Sequence, residues 1–198
     1  MKTVAEKLAV IVGIDEAGRG SLAGPVVAGA CILPSDRELP HLIKDSKRLS
    51  HEEREEMFTW ITQYCTYGCG IVDAQDIDQF RILSATEFAM QAAVERVARL
   101  ITPTYLLIDG RDKFWFDYPH SSIIDGDEKE PCISAASIVA KVVRDRIMMT
   151  YDKMYPQYGF CFHKGYGTEQ HFDLIKSRGL CEIHRKTFIR ETTLLCAK

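Results

Sequence analysis

Two acidic residues stand directly before a glycine-rich turn near the start of this 198-residue chain. In GIDEAGRG, Asp15 and Glu16 close an apolar run, and Gly18-Arg19-Gly20 follows them. Glycine-rich turns expose backbone N–H groups that bind phosphate, whereas carboxylates repel it. A divalent cation between the acids and a phosphate removes this conflict, because such cations bind carboxylate oxygens. The motif therefore predicts metal-assisted phosphate chemistry.

Further acids follow apolar runs later in the chain. Asp109 ends TYLLIDG, and Asp125, Asp127 and Glu128 lie in IIDGDEKEP, before a long helical pattern. Any one of these acids is more often a turn former or a helix cap than a ligand. If all of these acids lie at one sheet edge with Asp15 and Glu16, their negative charges would repel one another, or some of the acids would take up protons. Two divalent cations would remove this repulsion by neutralising about four of the carboxylates. The combination of segments therefore predicts the metal site.

An α/β arrangement of elements would bring these acids together. The first two apolar runs are separated by a Gly/Pro turn and predict a hairpin, which excludes a dinucleotide-binding fold there. If the strands that end near Asp15 and Asp109 are parallel neighbours, right-handed crossovers place both acids at one edge of the sheet. Predicted strands cover residues 8–14, 26–33, 68–72, 105–108 and 121–124, and predicted helices cover 51–64, 82–100, 134–151 (capped by Ser134) and 168–176.

Composition and charge exclude several classes of protein. With 46% hydrophobic and 27% charged residues, the chain is an ordinary globular sequence, expected to form one domain over residues 1–198. Its formal net charge of -3 argues against a protein that coats nucleic acid by charge alone. The absence of a membrane-length apolar run and of a secretory signal, and seven cysteines without framework spacing, predict a cytoplasmic protein with reduced thiols.

A zinc-ligand set near the C-terminal end offers a different function. It consists of Cys161, His163, Cys181 and His184, which lack a familiar ligand spacing. A zinc-containing nucleic-acid-binding module is therefore an alternative to the phosphate chemistry above. The nuclease hypothesis expects no tightly held zinc.

Five sequence blocks resemble ribonuclease HII, the type 2 ribonuclease H family, in the order in which that family shows them. They are GIDEAGRGSLAGPVVAGACIL, KDSKRLS, LLIDG, GDEKEPCISAASIVAKVVRDR and YPQYGFCFHKGYGT, and the match runs from about residue 12 to residue 188. The resemblance implies an α/β, ribonuclease H-like fold: a mixed five-stranded sheet flanked by helices, with residues 156–198 as a helical C-terminal extension packed on it.

The activity implied by the resemblance is that of an endonuclease. It would hydrolyse the RNA strand of RNA/DNA hybrids and cut 5′ of single ribonucleotides embedded in duplex DNA, leaving 5′-phosphate and 3′-hydroxyl ends. It would act as a monomer in the removal of ribonucleotides and RNA primers. By the same resemblance, two Mg²⁺ or Mn²⁺ ions are held by the catalytic acids Asp15, Glu16, Asp109 and Asp127.

Substrate contacts are also implied by the resemblance. The backbone of Gly18, Arg19 and Gly20 would read the ribose 2′-OH, and Tyr166 would stack on the next sugar, which must be deoxy. These roles agree with the physics, because the 2′-OH distinguishes RNA from DNA and an aromatic face packed on a sugar leaves no room for it. Phosphate contacts are expected from Lys47 and Lys164, and with less support from Lys44, Arg48, Lys141, Arg144 and Arg146, for which a solvated surface charge is an equal alternative.

The chain departs from the family pattern at a few positions. Ser21 stands where many members have Pro, Arg111 where the family often has Asn, and Asp125 where many have Lys. Asp125 places a negative charge beside the expected metal site and could compete for the role of Asp127. A ribonuclease HIII-like nuclease is an alternative, although this chain lacks that type's N-terminal extension and has Gly-Arg-Gly where it typically has Lys. A non-catalytic binding domain is disfavoured because all four acids are present.

Overall fold

The structure of the protein is a computed structural model, which describes residues 9–41, 43 and 49–189. These residues contain a five-stranded mixed sheet in the order β3-β2-β1-β4-β5. Its strands are β1 (Ile11–Ala17), β2 (Val26–Ile32), β3 (Thr66–Val72), β4 (Tyr105–Asp109) and β5 (His120–Ile123). β1 and β3 both pair with β2 in antiparallel register, whereas β1, β4 and β5 run parallel. The predicted α/β class, mixed sheet and initial hairpin are therefore confirmed.

Helices cover both faces of this sheet. They are α1 (His51–Tyr64), α2 (Ala74–Phe80), α3 (Ile82–Ala98), α4 (Gly126–Lys129), α5 (Pro131–Met154), α6 (Phe160–His163) and α7 (Glu169–Arg178), with short 3₁₀ helices at Pro156–Tyr158 and Lys186–Phe188. α1 and α7 begin at side-chain caps, from Ser50 and Thr168 respectively. α2 was not predicted from the sequence, because a seven-residue helix shows too little periodicity to stand out.

The start of α5 differs from the prediction. The helix begins at Pro131, which suits the first helical turn because its ring fixes a helical φ. The Ser134 hydroxyl does not cap the helix, but donates a hydrogen bond to the Ile43 carbonyl. The predicted Ser134 cap is therefore wrong, and α5 reaches one turn closer to the acidic segment before it.

The first strand extends further than the sequence suggested. β1 was expected to end at residue 14, but Asp15, Glu16 and Ala17 continue the ladder with β2. Because side chains alternate along a strand, these two acids point to opposite faces of the sheet. β1 is therefore the element that positions both of them.

Alternation along β1 gives the two faces of the strand different neighbours. Val12 and Ile14 belong to the apolar cluster that α3 covers. Gly13 faces α5 instead, and a Cβ built there would lie 2.1 Å from the backbone carbonyl carbon of Cys132. Asp15 shares this face, two residues further on. Close approach of α5 to β1 therefore depends on Gly13.

A separate apolar cluster holds residues 158–183 against α5 and the loop after β1. Its buried members are Ala23, Met148, Tyr158, Phe160 and Ile183. They join the loop after β1, the second half of α5 and residues 158–183. This packing brings the later sequence motifs next to the glycine-rich turn.

The six cysteines within the described ranges are free thiols, and Cys31 and Cys132 are buried like small apolar side chains. In residues 9–41, 43 and 49–189, no helix combines the length and the apolar character that crossing a membrane requires.

We expect Gly13→Ala to lower the free energy of unfolding by about 1–3 kcal/mol, because the added methyl group overlaps the backbone of α5. Denaturant unfolding measures this change. Gly20→Ala is the matched control, since a Cβ at Gly20 meets no described atom within 4 Å. Equal stability of the two variants would contradict the close packing of α5 on β1.

Candidate active site

Acidic side chains gather at one edge of the sheet. Asp15 lies near the carboxyl end of β1, and Asp109 ends β4, its parallel neighbour, so both reach the same edge as predicted. Asp127 lies on α4, where its N–H and that of Gly126 donate to Asp109 Oδ1 over 3.3 and 2.7 Å. Asp15 and Asp127 are buried, with exposed fractions of 7% and 4%. Three separate segments therefore supply carboxylates to one place.

Electrostatic repulsion within this group is substantial. Burial raises the pKa of Asp15 well above its usual value, and the negative charges of Glu16 and Asp109 raise it further. Burial also raises the pKa of Glu16; the neighbouring Arg19 guanidinium opposes this rise, and Asp109 adds to it. A positive charge placed among these groups would lower these pKa values and stabilise the ionised acids.

Ser137 is a site residue that the sequence analysis did not single out. Its side chain, on α5, forms a hydrogen bond with Asp15 that opposes the rise in pKa of that carboxyl group. The Glu16 N–H also donates to Asp15 Oδ1 over 2.7 Å. A serine among the small residues of a buried helix gives no signal of such a contact in the sequence. The contact exists because Gly13 lets α5 approach β1.

The acids fit divalent metal ions in donor type, and they gather at one edge of the sheet. Carboxylate oxygens are hard donors of the kind that Mg²⁺ and Mn²⁺ prefer, and mutual repulsion shows that the groups lie within electrostatic range. Within the described residues, however, no three His, Cys, Asp or Glu side chains form a ready metal-binding group. Asp109 Oδ1 faces backbone N–H groups, and Glu16 faces Arg19. Metal binding therefore requires these carboxylates to reorient.

Arg19 connects the acids to the glycine-rich turn. Its Nη1 lies 3.5 Å from Glu16 Oε1 and 2.6 Å from Asp112 Oδ2. Asp112 follows β4 and was not among the candidates from the sequence. The two ion pairs hold the guanidinium beside the turn.

An open groove of about 400 Å³ borders the acids. Its lining consists of Glu16, Ala17, Gly18, Arg19, Gly20, Arg54, Ser137, Ile138, Lys141 and Tyr166. The structure thus brings the complete Gly-Arg-Gly turn, Tyr166 and Lys141 to one surface. Arg54, on α1, is a lining cation that sequence reasoning missed, because the run of charges in that helix resembles an ordinary solvated face.

Two buried arginines donate hydrogen bonds to the backbone of the glycine-rich turn and of the segment after it. Arg144 donates from Nε to the Pro25 carbonyl and from Nη2 to the Ser21 hydroxyl and the Ala23 carbonyl. Arg185 donates to the carbonyls of Gly24 and Arg19. Burial lowers the pKa of Arg185 to about 9, so the side chain remains protonated at neutral pH. Arg185 thereby holds the turn at Arg19, and both guanidinium groups hold the segment that follows it, residues 21–25.

The expected phosphate contact by Arg144 is wrong, because its side chain is fully buried beneath the turn. Its guanidinium instead lies 5.2 Å from the centre of the Tyr166 ring, on the side away from solvent. A Cβ at Gly18 would fall 1.8 Å from Arg144 Nε, and Gly18 has a φ of +88°, so a glycine is required there.

The remaining basic candidates are placed differently from one another. Lys141 lines the groove and pairs with Asp145 over 2.7 Å. Arg146 pairs with Glu55 and lies over the Phe58 ring, whereas Lys164 Nζ donates to the Cys161 carbonyl. The other three expected contacts, Lys44, Lys47 and Arg48, lie outside the described residues.

The positions that depart from the family pattern also have distinct environments. Ser21 is fully buried and accepts the hydrogen bond from Arg144. Asp125 is exposed with a φ of +54°, a left-handed conformation that Asp tolerates better than most residues. Arg111 is exposed in the turn after β4. Asp125 and Asp127 therefore differ in burial, and the second of them contacts Asp109.

The possible zinc ligands do not converge on a common point. His184 Nδ1 accepts a hydrogen bond from the Cys181 N–H, and its Nε2 faces another histidine. His163 is bonded through both ring nitrogens to neighbouring backbone groups, and the Cys161 N–H donates to Asp152. Within the described residues, these four side chains do not form part of a group of three or more placed to hold one metal ion. The zinc-module alternative is therefore not supported.

Comparisons with known proteins agree on one family. A family model described as Ribonuclease HII matches residues 12–191. The Ribonuclease HII of Clostridioides difficile is 46% identical over 179 residues, which cover 90% of this chain and 69% of that protein. The Ribonuclease HII of Geobacter metallireducens is 50% identical, with 90% of this chain and 83% of that protein covered.

Solved structures show the same relationship. A chain of the PCNA:RNase HII complex from Archaeoglobus fulgidus superposes with a TM-score of 0.76 at 25% identity, covering 91% of this chain and 96% of that one. The ribonuclease H2 from Pyrococcus horikoshii gives a TM-score of 0.71 at 26% identity, with coverages of 92% and 94%. A Bst-RNase HIII in complex with Mn²⁺ shares the fold at 17% identity, with a TM-score of 0.70 and coverages of 94% and 69%.

We expect Arg144→Met to lower the free energy of unfolding by at least about 2 kcal/mol, because it leaves buried acceptors around the turn without donors. Arg146→Met, two residues along the same helix, removes an exposed ion pair and should cost less than about 1 kcal/mol. Denaturant unfolding of the two variants measures the difference. If both cost the same, Arg144 is not the support of the turn.

Proposed function

Since the chain belongs to the ribonuclease HII family of hydrolytic nucleases, as its five sequence blocks predicted, we propose that it cuts RNA within duplexes by two-metal-ion catalysis. Its substrates are the RNA strand of RNA/DNA hybrids and single ribonucleotides embedded in duplex DNA, which it cuts on their 5′ side. These activities would serve the removal of ribonucleotides and RNA primers from DNA. The observation that carries the proposal is the clustered acids beside a groove lined by a glycine-rich turn and basic side chains.

The four acids have the ligand role in this proposal. Asp15, Glu16, Asp109 and Asp127 would hold two Mg²⁺ or Mn²⁺ ions, which would supply water activation and charge stabilisation at the phosphate. Asp127 rather than Asp125 is the fourth acid, since Asp127 is buried against Asp109 whereas Asp125 is exposed on a left-handed turn. Ser137 keeps the Asp15 carboxylate oriented at the edge of the sheet.

The groove binds the substrate in this proposal. Arg19, Arg54 and Lys141 place three cations along it, which suits the phosphates of one strand. The Gly-Arg-Gly backbone is held open by the buried arginines and reads the 2′-OH, which distinguishes a ribonucleotide from its neighbours. Tyr166, 38% exposed, packs on the following deoxyribose. One chain supplies all of these groups, so the proposed active form is a monomer.

A ribonuclease HIII-like activity is the nearest competing function. The fold does not separate the two types, because structures of both superpose on this chain. The identity of 46–50% to ribonucleases HII and the Gly-Arg-Gly turn favour the type that accepts a single ribonucleotide.

The decisive experiment measures cleavage of duplex DNA that carries one ribonucleotide. We expect cutting with Mg²⁺ or Mn²⁺ and almost none with Ca²⁺, which binds the same oxygens at longer distances and in looser geometry. Asp109→Asn should reduce the rate by at least about a hundredfold while preserving the fold, because the Asn oxygen still accepts the backbone hydrogen bonds. Asp117→Asn, an exposed position in the loop after β4, is the control. Cleavage in excess chelator, or normal cutting by the Asp109 variant, would contradict the mechanism.

A second prediction concerns the reading of the sugar by Tyr166. Tyr166→Ala removes an aromatic face, which we expect to cost about fivefold or more in cleavage of the lone-ribonucleotide duplex. The loss should be smaller on a continuous hybrid, which has no deoxyribose at that position. Tyr166→Phe keeps the face and should retain the preference. Equal losses on both substrates, at one salt concentration, would instead make Tyr166 a packing residue.

A further inference from the structure

Three histidines are buried directly behind the loop that carries Tyr166. The rings of His163 and His171 are stacked with their centres 4.2 Å apart, and His171 Nε2 lies 3.1 Å from His184 Nε2. His171 and His184 are 0% and 1% exposed, and the Phe160 ring packs against all three. None of these rings lines the groove, so the reaction itself does not account for them.

The hydrogen bonds of His171 and His184 define the proton on each nitrogen. A backbone N–H can only donate, so His184 Nδ1, 2.9 Å from the Cys181 nitrogen, must be an acceptor. A carbonyl can only accept, so His171 Nδ1, 2.9 Å from the Tyr166 oxygen, must carry a proton. The bond between the two Nε2 atoms then runs from His184 to His171. A single arrangement with two uncharged rings satisfies every contact.

This chain of hydrogen bonds ends on the loop that faces the substrate. The His171 ring holds the Tyr166 carbonyl, and the Tyr166 N–H donates to the His163 carbonyl. One residue earlier, the Gly165 carbonyl accepts from the N–H groups of Leu22 and Ala23, over 2.8 and 3.2 Å. The loop is thus fixed on one side by the histidines and on the other by the segment that follows the glycine-rich turn.

We propose that the uncharged His171–His184 pair is a positioning device that sets the Tyr166 ring against the glycine-rich turn, and so determines the preference for a ribonucleotide followed by a deoxyribose. The inference rests on the proposed role of Tyr166 in reading the sugar. His171 and His184 are positioning residues, because they act through the Tyr166 backbone and do not touch the substrate.

An added proton would break the chain at either ring. A second proton on His171 would point at the Nε2–H of His184, and a second proton on His184 would point at the Cys181 N–H. The pKa of each ring is lowered from 6.5 to about 4, chiefly by burial; a backbone hydrogen bond opposes this shift and the nearby His163 adds to it. The other titratable groups at the pair are the Cys181 thiol, 3.1 Å from His184 Nδ1, and Tyr158, whose ring packs edge-on against His184.

The direction of the pH effect follows from these lowered pKa values. The unfolded chain binds protons at these histidines below about pH 6.5, whereas the folded chain does so only near pH 4. The contribution of the pair to stability is therefore complete above about pH 6.5 and is lost as the pH falls towards 4. Near neutral pH, the loop is held in its substrate-reading position.

The tautomers can be tested without any activity measurement. Long-range ¹H–¹⁵N spectra of the imidazole rings at pH 7 should show His171 protonated on Nδ1 and His184 protonated on Nε2. Neither ring should titrate between pH 8 and pH 5.5. A His171 ring protonated on Nε2, or titration of either buried ring near pH 6.5, would overturn the inference whatever the substrate of the enzyme.

Matched amide variants test the positioning role. The amide nitrogen of Asn is attached to Cγ, like Nδ1, so His171→Asn can still donate to the Tyr166 carbonyl. The amide of Gln corresponds to the Nε2 position, so His171→Gln keeps the contact with His184 and loses the one with Tyr166. We expect His171→Gln to lower the ratio of lone-ribonucleotide to hybrid cleavage by about fivefold, and His171→Asn to change it by less than about twofold. His120→Gln, on β5 at the opposite end of the sheet from Asp109, is the control.

The substrate ratio separates positioning from general destabilisation. A purely structural role would lower the melting temperature of both His171 variants and reduce both cleavage rates equally, which would overturn the inference. In the double variant with Tyr166→Ala, His171→Gln should lower the ratio no further, because both changes act through one ring. If wild-type protein cuts neither substrate, the proposed nuclease function fails, while the spectra still decide the hydrogen-bond arrangement.

Discussion

Mutual repulsion among Asp15, Glu16 and Asp109 is the constraint that shapes the surrounding structure. The parallel pairing of β1 and β4 forces two of these acids to the same edge, and burial removes the water that would otherwise screen them. The chain opposes the repulsion with hydrogen bonds from Ser137 and from backbone N–H groups, and with the Arg19 guanidinium. These contacts are weak substitutes for a cation, because they leave the pKa of Asp15 raised. The fold therefore holds the acids together at a cost that a bound divalent ion would offset.

The opposite charge is concentrated a short distance away, behind the glycine-rich turn. Arg144 and Arg185 are buried there, and within the described residues neither of them pairs with a carboxylate. Their hydrogen bonds are accepted by the Arg19 carbonyl of the turn and by the carbonyls of Ala23, Gly24 and Pro25 that follow it. A nucleic-acid strand would thus meet positive potential from beneath the turn as well as from the groove cations. This local arrangement explains how a chain with a net charge of -3 can suit a polyanion.

The sequence predicted the elements and the acids better than the environment of the basic residues. Hydrophobic periodicity located the strands and the long helices, and strand ends located Asp15 and Asp109. Periodicity does not show how deeply a charged side chain is buried by tertiary packing, however. Arg144 was therefore predicted to be a surface cation, although its side chain is fully buried. Ser137 and Arg54 were missed for a related reason, because their roles depend on how α5 and α1 lie against the sheet. The Ser134 cap was wrong because Pro131 starts the helix earlier.

The bonds that enclose the glycine-rich turn join residues far apart in the chain. Leu22 receives a hydrogen bond at its carbonyl from the Arg185 N–H and donates its own N–H to Gly165. During synthesis, the first hairpin and its acids leave the ribosome long before either partner exists, because domains are made from the N-terminus onward. A nascent chain therefore carries Asp15 and Glu16 before the partners that hold the segment after the turn have been made. The hydrogen bonds next to the turn are complete only after residue 185 has been translated.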